Sequence, residues 1–188
     1  MRALELVLSR AQIPVKYTQG FNPHPRISMP CPRPVGLSAR DDLLVLTLTE
    51  PVDGDELVGR LNSEAPMGMR FTRAEELASV PHPVKIQCEL PIAPDRIDSV
   101  RERIQQLREA ESWPVERSAG PDRRDRTARR TVDIRPGLEQ IDLEDGLVRM
   151  TLSGTEGRWA KPAEVLEAIG MDGRADLAVM VRTQVDYD

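Results

Sequence analysis

From Val84 to Ile92 the chain alternates, with Val84, Ile86, Cys88, Leu90 and Ile92 interleaved with Lys85, Gln87, Glu89 and Pro91. A period of two predicts a strand with one face buried. The period then lengthens: Ile97, Val100, Ile104 and Leu107 form one helical stripe, for which Asp95 is the expected N-cap. Thr131 to Arg135 predicts a strand stopped by Pro136-Gly137, and Val148, Met150 and Leu152 predict another behind an Asp145-Gly146 hairpin turn. Pro162 suits the first turn of a short helix presenting Val165, Leu166 and Ile169, with Gly170 to end it. Leu177, Val179, Val181 and Val185 alternate with positions expected to be exposed and predict a closing strand. Residues 84–188 thus read as βαββαβ, the split pattern of ferredoxin-like domains, with an Arg-rich loop at 118–130.

Residues 1–80 repeat this grammar with one omission. Leu4, Val7, Leu8 and Ala11 make a helical stripe that stops before Ile13-Pro14, because the residue before a proline disfavours helical dihedrals. Val15 to Thr18 predicts a short strand, and Leu44, Leu46 and Leu48 a longer one. Asp53 with Glu56 resembles a capping box for a helix bearing Leu57, Val58 and Leu61, and Met69 to Arg73 can supply a last strand. The order is αββαβ, a ferredoxin-like half without its leading strand. The fold class expected is α+β, by duplication of one half; the plainer alternative is a single mixed sheet covered by helices. A helix starting at Met1 has no preceding residue to cap it. We therefore expect Met1 to be internal to a longer frame, or the first strand to come from an upstream segment or a partner chain.

Composition narrows the class. A chain of 188 residues with 39% hydrophobic and 30% charged residues is of ordinary globular type, and 3% aromatic content demands an aliphatic core. Two cysteines outside any CxxC pair argue against a disulfide framework, and with no apolar stretch of membrane-spanning length they point to the cytoplasm. A net charge of −5 excludes a protein whose whole surface is built for nucleic acid. It leaves room for a local basic segment, for which Arg123, Arg124, Arg126, Arg129 and Arg130 are the candidates. These arginines could lie along RNA phosphates, or simply be solvated in a loop where Asp122 and Asp125 dilute them.

Candidate chemistry concentrates in Tyr17-Thr18-Gln19-Gly20-Phe21-Asn22-Pro23-His24-Pro25-Arg26-Ile27-Ser28. Two prolines stiffen the backbone around His24 and Gly20 permits a bend, so Tyr17, Gln19, Gly20, Phe21, Asn22, His24, Arg26 and Ser28 form a candidate contact surface for a ligand or partner. The competing reading is a rigid connection whose Asn and His tie down backbone amides. His24 is also a candidate general base, with Tyr17, Arg26 or Arg135 beside it, by analogy with ferredoxin-like RNA-processing endonucleases that use a loop histidine, although local spacing indicates no nucleophile–base pair. His24, Cys31, His82 and Cys88 supply a zinc-like ligand count, but without the close pairs of structural zinc sites, and Cys88 falls on an apolar strand face.

The helix Met1-Arg2-Ala3-Leu4-Glu5, the Tyr17 to Ser28 run with its Gly-Phe-Asn-Pro-His-Pro core, Pro34-Val35-Gly36 and Leu46-Thr47-Leu48-Thr49-Glu50-Pro51 are similar to the bacterial radical SAM-linked protein family. So are Val132-Asp133-Ile134-Arg135-Pro136, Pro162-Ala163-Glu164-Val165-Leu166 and Val181-Arg182-Thr183, so that the resemblance spans nearly the whole chain. That family is a domain of unknown function encoded beside, or fused to the end of, a radical SAM protein. Its members resemble this chain with a strand and a Ser-His-Leu-Asp-like approach added before the first helix. The resemblance implies a helper of a radical SAM partner, in substrate recognition, and does not imply the partner's substrate. We expect a non-catalytic accessory or substrate-recognition subunit, with RNA modification as a setting the residues leave open, and we extend the contact surface above to Arg135. The resemblance also implies an iron–sulfur cluster and SAM on the partner and none on this chain, whose two cysteines cannot supply the three such a cluster needs. The alternatives are an RNA-binding or RNA-processing protein with His24 as general base, and a structural fusion remnant.

Overall fold

A computed structural model describes residues 2–118, 129–154 and 159–188. In chain order the elements are α1 (Arg2–Arg10), β1 (Ile27–Ser28), β2 (Ser38–Ala39), β3 (Val45–Leu46), α2 (Gly54–Glu64), β4 (Pro83–Pro91), α3 (Ile97–Glu109), β5 (Pro114–Ser118), β6 (Arg129–Asp133), β7 (Leu138–Glu144), β8 (Leu147–Ser153), α4 (Pro162–Ala168) and β9 (Val181–Tyr187). The architecture is mixed α+β. It divides into two compact units, one comprising the chain up to Pro30 with Leu43–Pro81, the other Cys31–Asp42 with His82–Asp188.

In the first unit α1 buries Val7 and Leu8 and α2 buries Leu57 and Leu61, joined in one cluster by Ala11, Ile13 and Val15. Asp53 caps α2, accepting from the Asp55 and Glu56 amides at 3.0 and 3.1 Å; the Glu56 side chain pairs with Arg60 and does not return to complete a capping box. α1 ends with Gln12 at φ 52° and Ile13 N–H donating to the Leu8 carbonyl at 3.1 Å, and Arg60 donates to the Ala11 and Gln12 carbonyls left over. The strands expected here are fragmentary. Val15 and Tyr17 make single bridges, β3 is two residues, and the expected strand from Met69 to Arg73 is absent because Asn62 takes its place as partner: its amide donates to the Phe71 carbonyl and accepts from the Phe71 N–H, both at 2.8 Å. The symmetry expected between the halves is not visible in these elements.

In the second unit β4, β7, β8 and β9 form an antiparallel sheet in the order β9-β4-β8-β7, and β2 extends it in parallel beside β9. Its four long strands and α3 and α4 follow one another as strand, helix, strand, strand, helix, strand. Val100, Ile104 and Leu107 of α3 and Val165 and Leu166 of α4 pack with Cys88, Leu90, Val148, Met150 and Leu152 of the sheet. The other sheet face is polar, with Arg149 on Glu89 at 3.3 Å and Lys85 on Glu139 at 2.7 Å. Asp145 at φ 51° and Gly146 at φ 72° make the tight β7–β8 turn the dipeptide implied.

Several expectations shift. Pro94–Arg96 is a 3-10 turn ahead of α3, so Asp95 does not cap that helix. The strand expected at Thr131 runs from Arg129 and pairs with β5, which sequence periodicity did not reveal. Leu177 lies in a 3-10 turn and Val179 is 55% exposed, so the closing strand starts only at Val181, and its alternation breaks at a register irregularity: Arg182 is buried while Gln184, two positions on, is exposed.

Candidate functional site

The segment from Val15 to Ser28 folds as a hairpin of the first unit. Tyr17 bridges Pro25, and the Arg26 amide donates to the Lys16 carbonyl at 2.7 Å. At the mouth of the loop Thr18 N–H donates to the His24 carbonyl at 2.9 Å, and His24 N–H donates to Thr18 Oγ1 at 3.0 Å. Thr47 stitches the two arms from below: its carbonyl accepts from Lys16 N–H at 2.7 Å and its N–H donates to the Arg26 carbonyl at 3.0 Å. Ile27 and Ser28 continue into the pairing with Leu46 and Val45. Proline at 23 and 25 fits because neither position needs to donate in this scheme.

The frame therefore presents an exposed loop. Gln19, Phe21, Asn22 and His24 are exposed, and Phe21 is bare at 106% of its reference surface. Gly20 adopts φ 131°, where an L side chain is strained. Alternation sends Val15 to the core, where it is 5% exposed, and Lys16 to solvent, with Arg26 opposite it also exposed. Among the described residues neither cation makes an ion pair and no side chain holds the His24 ring. Lys16 belongs to this surface although the sequence reading omitted it; its signal was the ladder with Arg26, which local periodicity does not show.

The other candidates fall elsewhere. Arg135 belongs to the second unit and is engaged by the end of α3, donating to the carbonyls of Ala110 at 3.2 Å and Arg108 at 3.4 Å, and by the start of β7, donating to the Leu138 carbonyl at 3.0 Å. Such a position complements both the orphan carbonyls and the negative end of the helix dipole. Arg129 and Arg130 are exposed on β6, while Arg123, Arg124 and Arg126 lie outside the described residues. Of the zinc candidates, His24 is in the first unit; His82, Cys31 and Cys88 are in the second. His82 faces Asp188 at 3.8 Å. Among the described residues no three His, Cys, Asp or Glu side chains gather as a metal site would require. Burial pushes the Cys88 thiol up to about 12, and burial raises Cys31 too, against the pull of Arg182, so neither is poised as thiolate nucleophile or ligand.

The charged cluster the sequence did not foretell is built on Arg182. Paired in register with Cys88 and only 2% exposed, it donates to the Cys31 carbonyl at 2.9 Å, to Cys31 Sγ at 3.0 Å and to Asp42, which Arg33 also holds at 2.8 Å. Among the described residues its Nε has no partner. This network ties Cys31–Asp42 to β9, and its members are 140 and 151 residues from Arg182, beyond any local pattern.

No helix among the described residues is long and apolar enough to cross a membrane. No curated protein and no solved structure matches the chain. A family model does, over residues 1–162, which takes in the hairpin, both helices of the first unit, and the second unit as far as the start of α4. The chain accordingly belongs to the DUF2344 family, described as an uncharacterized protein conserved in bacteria.

Proposed function

We propose that this protein is a non-catalytic recognition subunit of a radical SAM enzyme, with the hairpin from Lys16 to Ser28 as its contact surface. The observation that carries the reading is a fully exposed Phe21, flanked by exposed Gln19, Asn22 and His24, on a loop closed by the Thr18–His24 pair and braced by Thr47. Large aromatics at the tip of a pre-organised loop are what interfaces use as anchors, because little ordering entropy remains to be lost on binding. The radical SAM association rests on the sequence resemblance, and the iron–sulfur cluster and SAM belong to that partner. Catalysis by His24 has less support, since general bases are held by an orienting group and the ring has none among the described residues. We further read the second unit as ferredoxin-like and the first as its shortened duplicate, and place the protein in the cytoplasm, where its two buried cysteines would stay reduced.

Affinity capture from cells of a bacterium that encodes the protein tests the reading. The tagged chain should retain a radical SAM protein, identified by mass spectrometry; its absence from repeated captures with intact bait would refute the association. Loss of an RNA-cleaving activity in His24→Ala would instead establish the catalytic alternative.

A further inference from the structure

From Leu6 to Arg40 the chain contains no Asp or Glu, although 31 of its 188 residues are acidic and its net charge is −5. Five cations fall in that stretch: Arg10, Lys16, Arg26, Arg33 and Arg40. Arg33 and Arg40, in the second unit, are neutralised by Asp42 at 2.8 Å and Glu89 at 3.2 Å. Lys16 and Arg26 are not: they stand side by side across the hairpin arms, exposed and without an ion pair among the described residues. Two exposed cations without an ion pair among the described residues, on a sequence stretch that carries no carboxylate, are complementary to a polyanion. The same hairpin carries Phe21, fully exposed, and Tyr17, 49% exposed, two of only six aromatic residues in the chain. Exposed aromatics next to cations are the combination by which single strands are bound, bases stacking on the rings and phosphates lying on the cations.

We infer that the hairpin binds single-stranded RNA, with a base stacked on Phe21 and the adjoining phosphates on Lys16 and Arg26. The inference rests on the proposed reading of the hairpin as the contact surface and names what it contacts. An acidic polypeptide would be served by the cations but gives no use for a bare ring at the loop tip. RNA is favoured over DNA because Gln19 and Asn22, exposed on the same loop, each offer a donor and an acceptor for a 2′-hydroxyl. Double-stranded nucleic acid does not fit, since its bases present no free face to an aromatic ring.

The test is fluorescence anisotropy of the full chain with a fluorescein-labelled 12-nucleotide RNA of mixed sequence, the same sequence as DNA, and a polyglutamate peptide. Two phosphate contacts predict a slope of about −1.4 in log affinity against log salt, falling by about 0.7 in Lys16→Gln or Arg26→Gln. Phe21→Ala should weaken binding roughly tenfold at an unchanged salt slope. These side chains are exposed, so thermal denaturation of the variants should match that of the parent, confirming that losses are not unfolding. Absence of saturable RNA binding, equal affinity for DNA or polyglutamate, or binding indifferent to all three substitutions overturns the inference. The same variants in the affinity capture separate the two claims: lost radical SAM capture with RNA binding intact overturns the RNA assignment and leaves the recognition reading standing.

Discussion

Arg182 shows how far a single residue can depart from its local pattern. Between Val181 and Thr183, alternation assigned it to solvent, yet it is buried against Cys31 and Asp42. A buried guanidinium is costly unless its charge is paired, and the groups that pair the charge and receive the Nη1 and Nη2 donors come from the distant Cys31–Asp42 segment. Asp42→Asn leaves that charge unpaired, and urea denaturation should show a loss of about 3 kcal/mol. Adding Arg182→Met to that variant should recover a large part of it. Full additivity of the two losses would deny the coupling.

Cys88 carries the clearest pH signature. Burial raises its thiol from 9.0 to about 12, and burial also raises Cys31 and Tyr187. Above pH 9 the unfolded chain releases the Cys88 proton while the native state keeps it, so stability is full below pH 9 and falls from there to about 12. The slope from this group approaches about 1.4 kcal/mol per pH unit. Cys88→Ala should flatten the alkaline limb without abolishing it, because Cys31 and Tyr187 remain. An unchanged limb would contradict the burial argument.

At the scale of elements, sequence periodicity was informative where a face is buried along its whole length. α3 and β8 appear with the stripes their spacing implied, because Val100, Ile104 and Leu107, and Val148, Met150 and Leu152, all enter one core. It was uninformative for the first unit's strands, whose backbone is satisfied by single bridges, by Thr47 and by the Asn62 side chain. β5 escaped notice because its half-buried Val115 and Arg117 do not contrast with exposed Glu116 as apolar with polar. Arg117 is instead turned to Glu164 of α4, at 2.6 Å. Turn chemistry was legible at Asp145-Gly146. Gly146→Ala would place a side chain at φ 72° with no contact nearer than 3.8 Å, so its cost is conformational, about 1 kcal/mol. Gly137→Ala would set its Cβ 2.7 Å from the Ala160 amide nitrogen and should cost more. Chemical denaturation of the two variants orders them, and the reverse order would show the backbone path at Ala160 to be more yielding than described.

For the molecule as a whole, the exposed hairpin proposed as the contact surface stands out in the sequence because prolines, a glycine and chemically varied side chains are crowded into one run, a composition that no buried element needs. What that run could not disclose is the company it keeps: Lys16 joins it across the hairpin, whereas Arg135 is engaged by the end of α3. Charge carries information at this scale too, since a net of −5 conceals a stretch without a single carboxylate.

The central claim is that the hairpin tip is where the protein meets its partner. Replacing Gln19–Pro23 with Asn-Gly removes Phe21 while leaving the arms and their Thr47 braces, and the decisive measurement is the affinity of this variant for the labelled single-stranded RNA against the parent. The account predicts binding weakened roughly tenfold or more with the thermal midpoint unchanged; parental affinity would contradict it.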